Sequence, residues 1–489
     1  MAINMESTTK VKYNVIDQNN TTLPREDSTM SIAHNAASFS NNLEAKFTDK
    51  QISSNVTYTY VQDFKDIIGF RPLLEKHLGQ YGCLKAPNSK YSIPETIDFM
   101  IDAVFLGYSR FCHMDKLRGD RAYIGIRGSD APSEKVCRDT LALLPENAAD
   151  TLRSINREFL SVQAKFYGPR EVAADFDDTV ITVFGNQEKA CVGYNPRYHG
   201  RPSYKEKVGV ISGTKEIVDL TLEEGSHNSN YEFLEFFKRF EESLLEEWIL
   251  KRVRCDSGFF SDDNLTYFED RGYEYTVKAR MTENMKKVVS YVCEHPEEYP
   301  WEQVDESSGE HITFHATEIH VPLPDWERAR RIVIVRKTLP TQNADGQLIF
   351  DECRYEYQVI VTNIDYLSVA EIFHDYNQRC TVETTIDEVK SGFAFSENSQ
   401  INHKCNELFL LIKMIACNLQ NWFRQAILPE RVRHHRITTL RQKIYRTCGM
   451  ITGSGWYRHV VYQIDDAFQQ IIEQIQTALI WFRYRYGTS

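Results

Sequence analysis

The chain has 489 residues, a formal net charge of −12 and a sequence pI near 5.7, enough for about two to four domains with a sizeable core. It is acidic overall, so any surface that holds phosphate must be a local patch. Eleven scattered cysteines form no CxxC pair, which speaks against a zinc module or disulfide framework and for a reducing cytoplasm. No signal peptide, membrane-length apolar run or P-loop occurs, so neither a membrane nor a nucleotide is implied.

Residues 1–50 are rich in Ser, Thr and Asn without periodicity and read as a flexible leader. Residues 51–168 turn to helical spacing and read as a helical DNA-binding domain. Within them, Asp130 to Arg138 reads as a turn and a helix start. As the second half of a helix-turn-helix it directs Ser133, Lys135 and Arg138 at DNA; an ordinary capped helix is the plainer alternative. Residues 169–280 open with a β-rich run that ends at Gly185. Under two-residue alternation Asp175 and Asp177 share one face, Asp178 and Val180 the other. The loop Gly193 to Tyr204 follows, then a meander of strands. A helix is expected over Tyr231 to Ile249, with Phe233, Phe236, Phe237, Phe240, Leu244 and Trp248 on its buried stripe. A strand then runs into Asp256-Ser257-Gly258, where a carboxylate can project into a site.

Residues 281–360 form a β-rich insertion, and residues 361–425 complete the interrupted domain. No Pro or Gly interrupts Val369 to Lys390, so one helix of roughly six turns is expected, stopped at Ser391-Gly392. Tyr376, Arg379, Glu383 and Lys390 then fall within a sector about 60° wide. A solvated face with an i,i+4 ion pair is the plain alternative. Residues 426–489 read as a basic helical C-terminal region: positions 424–461 hold eight Arg or Lys against one acid, Glu430. His434-His435 lacks a third ligand at a familiar spacing and joins that basic surface. The last helix, Ala467 to Phe482, is amphipathic, and its stripe suits either the chain's own core or a partner.

Three strands, a helix and a strand, with acids on the first and fourth strands, follow the ribonuclease-H-like α/β plan. Phosphodiester chemistry on that plan uses carboxylates to hold two divalent ions. Hard oxygen ligands suit Mg²⁺, with Mn²⁺ as a substitute. Asp177, Asp256 and Glu383 are the candidate ligands. Each aspartate alone could be a capping or turn residue, and Asp175 and Asp178 stay open as alternatives to Asp177.

The spacing Tyr376-x2-Arg379-x3-Glu383-x6-Lys390 resembles the Y-R-E-K signature of the cut-and-paste DDE transposases of bacterial insertion sequences. Asp177-Asp178-Thr179 resembles the D-x-T context of the family's first aspartate, and Arg254 to Phe259 that of its second. The loop holding Gly193-Tyr194-Asn195-Pro196 is similar too, so the likeness runs from about 171 to 425. It implies Asp177, Asp256 and Glu383 as catalytic metal ligands. Tyr376, Arg379 and Lys390 would hold DNA phosphates. The implied partners are double-stranded terminal inverted repeats and target DNA, bound by a homodimer or larger in a bacterial cytoplasm. Some relatives excise through a DNA hairpin, with an aromatic platform on the insertion. Here Trp301 and Trp326 are candidates, with Trp326 preferred for Arg328, Arg330 and Arg331 beside it; both could equally be insertion core. Rival readings are a ribonuclease-H-like nuclease that does not join, and a domesticated, non-catalytic DNA-binding protein.

Overall fold

The computed structural model describes residues 48–307, 312–342, 348–397, 399–454, 457–463 and 465–487, without the side chains at 307, 340–342, 348–354, 380–383, 454, 457, 458 and 487. After the short strand β1 (Gln51–Ser53) come seven helices: α1 (Tyr58–Ile67), α2 (Phe70–Leu78), α3 (Ile93–Phe105), α4 (Phe111–Arg118), α5 (Arg121–Arg127), α6 (Glu134–Leu143) and α7 (Ala148–Tyr167). The central strands are β2 (Arg170–Thr182), β3 (Cys191–Val192), β4 (Pro202–Ile211) and β5 (Ile217–Glu224). Helix α8 (Phe233–Ser243), β6 (Trp248–Cys255), α9 (Asp262–Asp270) and β7 (Glu274–Lys278) follow. Helix α10 (Glu283–Glu294) leads to β8 (Glu302–Ser307), β9 (Ile312–Val321), β10 (Arg330–Gln342) and β11 (Leu348–Thr362). The chain then forms α11 (Val369–Asn377), α12 (Cys380–Phe393), α13 (His403–Ala426), α14 (Glu430–Arg433) and α15 (Ile437–Leu440). The hairpin β12 (Gly449–Ser454) and β13 (Tyr457–Tyr462) precedes α16 (Asp466–Gly487).

Strand β2 is the hub. It pairs antiparallel with β4, which pairs antiparallel with β5, and on its other side it runs parallel to β6, itself parallel to β7. Taken in chain order, those five strands lie 3-2-1-4-5, the ribonuclease-H-like arrangement, and the fold is mixed α/β. The β-rich run does not stand apart from this sheet. Strand β11 pairs with β7, and β10, β9 and β8 extend the same sheet antiparallel.

Packing fixes β2 from one face. Phe176 meets Phe240 at 4.8 Å and Phe237 at 5.2 Å between ring centroids, the stripe of α8 laid on the sheet as its spacing predicts. Gly209 on β4 makes the room, because a Cβ there would sit 2.6 Å from the Phe240 ring. Helix α8 is shorter than expected. It ends at Ser243, Leu244 turns extended, and Trp248 opens β6 opposite Arg170. A β-branched and aliphatic run able to pair in parallel with β2 outweighs a continued helical period.

Helix α13 is buried on nearly every side, its polar residues Lys413, Asn418 and Asn421 included. It clamps the edge strand β5: Asn418 Nδ2 donates to Ile217 O at 2.8 Å and to Asn156 Oδ1 of α7 at 2.7 Å, while Ile217 N donates to Asn418 Oδ1. The C-terminal region also departs from the all-helical expectation, since β12 and β13 form a sheet with β1. The α16 stripe Ile472, Ile475, Leu479 and Phe482 is buried in the chain's own core. Much of the basic run is spent on structure. Arg441 donates to the carbonyls of Phe105 and Val104, and Arg446 to that of Leu106. Contacts divide the chain after Lys50, and the elements above lie in the unit Gln51–Ser489. Among the described residues no helix is long and apolar enough to cross a membrane.

Candidate active site

Register brings the two aspartates together. Phe176 of β2 stands opposite Cys255, the last residue of β6, in a parallel pair, so Asp177 and Asp256 each follow directly on strands about 4.8 Å apart, Asp256 just past the end of its strand. Alternation places Asp175 and Asp177 on one face of β2 and Arg252 and Arg254 on one face of β6. That face looks toward α11.

Asp175 is spent on structure. It is fully buried, and Arg254 grips it with a two-pronged fork, Nε to Oδ1 at 2.6 Å and Nη2 to Oδ2 at 3.1 Å. Asp178 lies on the other face, 3.0 Å from Lys205 Nζ. Asp177 accepts a hydrogen bond from Arg379 Nη2 at 2.9 Å, with side-chain exposures of 15% and 6%. Burial pushes the Asp177 carboxyl up to about 6; Arg379 pulls it down, and Asp178 and Asp256 raise it further.

The expected six-turn helix is two helices, α11 and α12, broken at Gln378-Arg379. The break has a physical cause on β6. Arg254 Nη1 donates to the carbonyl of Asp375 and to Gln378 Oε1, both at 3.0 Å. Arg252 and Thr276 hold the Asp375 carboxylate. With α11 anchored there, the chain turns at residues of middling helix propensity, and Arg379 becomes the N-cap residue of α12 beside Asp177. Position 383 is in the first turn of α12; the Glu383 side chain lies outside the described residues. Both linking residues, Gln378 and Arg379, keep helical αR dihedrals. The Tyr376 ring packs among Ile372, Phe373 and Val335 in the core beneath β10. Lys390 borders a small pocket with Glu206, Thr385 and Val389.

The other candidates fall elsewhere. Ser133 caps α6 through Val136 N, Lys135 is exposed, and Arg138 is held by Glu134 and the carbonyl of Ser399. Trp326 packs on Phe260 with Arg330 over its ring at 5.0 Å. The arginines that favoured it are neutralised: Arg328 and Arg330 pair with Glu269, Asp270 and Asp262, and Arg331 with Glu318. Trp301 lies under Arg336 at 4.3 Å. Sequence reasoning missed the role of Arg252 and Arg254, although two arginines alternating into Asp256 were visible as one face of a strand.

The donors suit a divalent cation. They are hard carboxylate oxygens, and three acids, Asp177, Asp178 and Asp256, crowd against two cations, Arg379 and Lys205. Burial is the first cause of the upward push on Asp177, and Asp178 and Asp256 add to it. Among the described residues no trio of His, Cys, Asp or Glu side chains gathers as a metal cluster.

Residues 35–478 match the family model described as transposase DDE domain, group 1. The chain belongs to that family. DDE transposases act on DNA and use divalent metal ions, which agrees with the paired aspartates. Among solved structures the chain is similar to the piggyBac transposase in a synaptic complex with hairpin DNA, determined by cryo-electron microscopy. The TM-score is 0.39 at 10% identity, covering 90% of this chain and 85% of that one, too low to weigh on residue roles. No curated protein matches.

Proposed function

We propose that this transposase binds the terminal inverted repeats of a bacterial insertion sequence as double-stranded DNA, cuts there, and joins the freed 3′-hydroxyls to target DNA. One observation supports the reading above the others: Asp177 and Asp256 each follow the parallel pair of Phe176 and Cys255 on adjacent strands, with Arg379 tying the start of the Glu383 helix to Asp177. Asp177, Asp256 and Glu383 would hold two ions, Mg²⁺ with Mn²⁺ as substitute. Ions bound there supply an activated nucleophile and charge stabilisation at the leaving oxygen.

The chain's own groups position the DNA. Arg379 holds Asp177 in the free protein and would present its guanidinium fork to a phosphate of the bound DNA. Lys390 adds a point charge one helix length away, and the Tyr376 hydroxyl is the only polar atom of a buried ring. Lys135 is the exposed cation of the three helix-turn-helix candidates and the one suited to duplex contact. Coordinated cutting of two ends calls for a homodimer or larger assembly, working in the bacterial cytoplasm.

The test is a supercoiled plasmid carrying the reading frame's own flanking repeats, incubated with full-length protein and Mg²⁺ and resolved on a denaturing gel. Asp177→Asn, Asp256→Asn and Glu383→Gln should each abolish nicking and joining while retarding the repeats in a gel as wild type does. Near-normal nicking by Asp177→Asn would overturn the assignment. Pre-cut ends that are never joined would instead make this a nuclease.

A further inference from the structure

Beside Asp256 opens a cleft of ≈950 Å³, bordered also by Asp178, Phe184 and the 194–198 segment. These last line it with side chains the reaction above does not use. Phe184, Tyr194 and Tyr198 are 68%, 76% and 44% exposed. Phe184 and Tyr198 meet edge to face at 5.5 Å, and the Arg201 guanidinium sits 5.7 Å over the Phe184 ring. Arg197 and Arg201 are exposed, and neither forms an ion pair among the described residues. Three large rings left open together mark a place where something binds.

The rings are held, not loose. Asn195 is 3% exposed; its Nδ2 donates to Thr182 Oγ1 at 2.9 Å, and its Oδ1 accepts from Arg197 N at 3.2 Å and Tyr198 N at 3.0 Å. Thr182 is the last residue of β2, so the strand that carries Asp177 and Asp178 also carries the anchor of the loop. At the base of the loop a Cβ on Gly193 would lie 1.8 Å from the Gly225 carbonyl oxygen. The backbone therefore packs there without any gap.

We infer that Phe184, Tyr194 and Tyr198, with Arg197 and Arg201, form a stacking platform for unpaired nucleotides next to the scissile phosphate. The inference rests on the transposase reading of the aspartates. Its ligand is single-stranded DNA at a melted end. In a duplex the base faces are already stacked on each other, so only an unpaired base can use an open ring, while the guanidiniums take backbone phosphates. Trp326, packed on Phe260, offers no comparable open face.

The probe is a duplex oligonucleotide of the element's end, either blunt or with its last four base pairs mismatched into a fork, and with 2-aminopurine at the first unpaired position. Affinities are read by fluorescence anisotropy on full-length protein in Ca²⁺. Wild type should bind the fork about tenfold tighter than the blunt duplex, the size of one base–aromatic stack, and quench the 2-aminopurine. Tyr194→Ala and Phe184→Ala should bring that ratio toward one and restore the fluorescence, while Tyr194→Phe keeps both. Asn195→Ala, which leaves the rings but frees the loop, should lose part of the ratio. If wild type binds neither probe, the transposase reading fails and the platform with it. If it binds both equally, or the alanine variants keep the ratio, the transposase reading stands and the platform is refuted. Alanine variants that lower both affinities in parallel, or that change the oligomer seen by light scattering with the ratio intact, also refute it; the latter outcome makes the patch an interface between copies.

Discussion

Glu206 is a buried acid beneath the Glu383 helix, and replacing it should stabilise the protein in a pH-dependent way. It is 3% exposed on β4, borders a pocket with Thr385, Ile386, Val389 and Lys390, and its Oε2 has no hydrogen-bond partner among the described residues. Burial pushes its carboxyl from an ordinary 4.5 up to about 7, against the pull of Lys390 and Lys413. The folded chain therefore keeps a proton that the unfolded chain sheds between pH 4.5 and about 7, and stability falls as pH rises through that window. At 1.36 kcal/mol per pH unit the interval is worth about 3 kcal/mol. Glu206→Gln keeps the shape and removes the ionisation. By urea unfolding, Glu206→Gln should exceed wild type by about 2–3 kcal/mol at pH 8 and by under about 1 kcal/mol at pH 5. By scanning calorimetry that is about 2–3 °C for a unit of this size. A gap of equal size at both pH values, or a variant less stable at pH 8, would refute the reasoning.

Asp175→Asn should cost about 3–5 kcal/mol in urea, because it strands the buried Arg254 charge that forks onto both carboxylate oxygens; a loss under about 1 kcal/mol would remove the structural role given to Asp175. Arg379→Ala should slow nicking by about tenfold or more, the worth of a charge-assisted hydrogen bond, yet leave calorimetric Mn²⁺ affinity in place, and loss of Mn²⁺ binding would contradict its role as a positioning cation. Because Asp177 holds its proton up to about pH 6, Mn²⁺ affinity should fall by up to about tenfold per pH unit below 6; a flat profile from pH 7 to 5 would show that this carboxylate is not a ligand.

The parts legible in the sequence were those set by local pattern. Two-residue alternation put Asp177 on a face with Asp175, and the strand ending at Cys255 presented Asp256. The phenylalanine stripe found its sheet. What distant partners decide could not be read. The break at Gln378-Arg379 is imposed by Arg254 and Arg252, more than a hundred positions earlier on β6. The hairpin β12–β13 pairs with β1 at the far end of the chain. Arg328, Arg330 and Arg331 looked like a phosphate-binding cluster only until Asp262, Glu269, Asp270 and Glu318 were brought beside them. The loop from Gly193 to Tyr204 was recognisable as a feature, but its chemistry depends on the anchor between Asn195 and Thr182.

The central claim is that Asp177 and Asp256, with Glu383, form the metal-binding centre of a DDE transposase. Calorimetric titration of Mn²⁺ into full-length wild type, Asp177→Asn, Asp178→Asn, Asp256→Asn and Glu383→Gln at pH 7.5 tests it without requiring DNA or activity. The expected result is binding to wild type and Asp178→Asn, and affinity reduced by about tenfold or more in the other three. Wild-type affinity in Asp177→Asn together with its loss in Asp178→Asn would contradict the claim and move the site to the opposite face of β2.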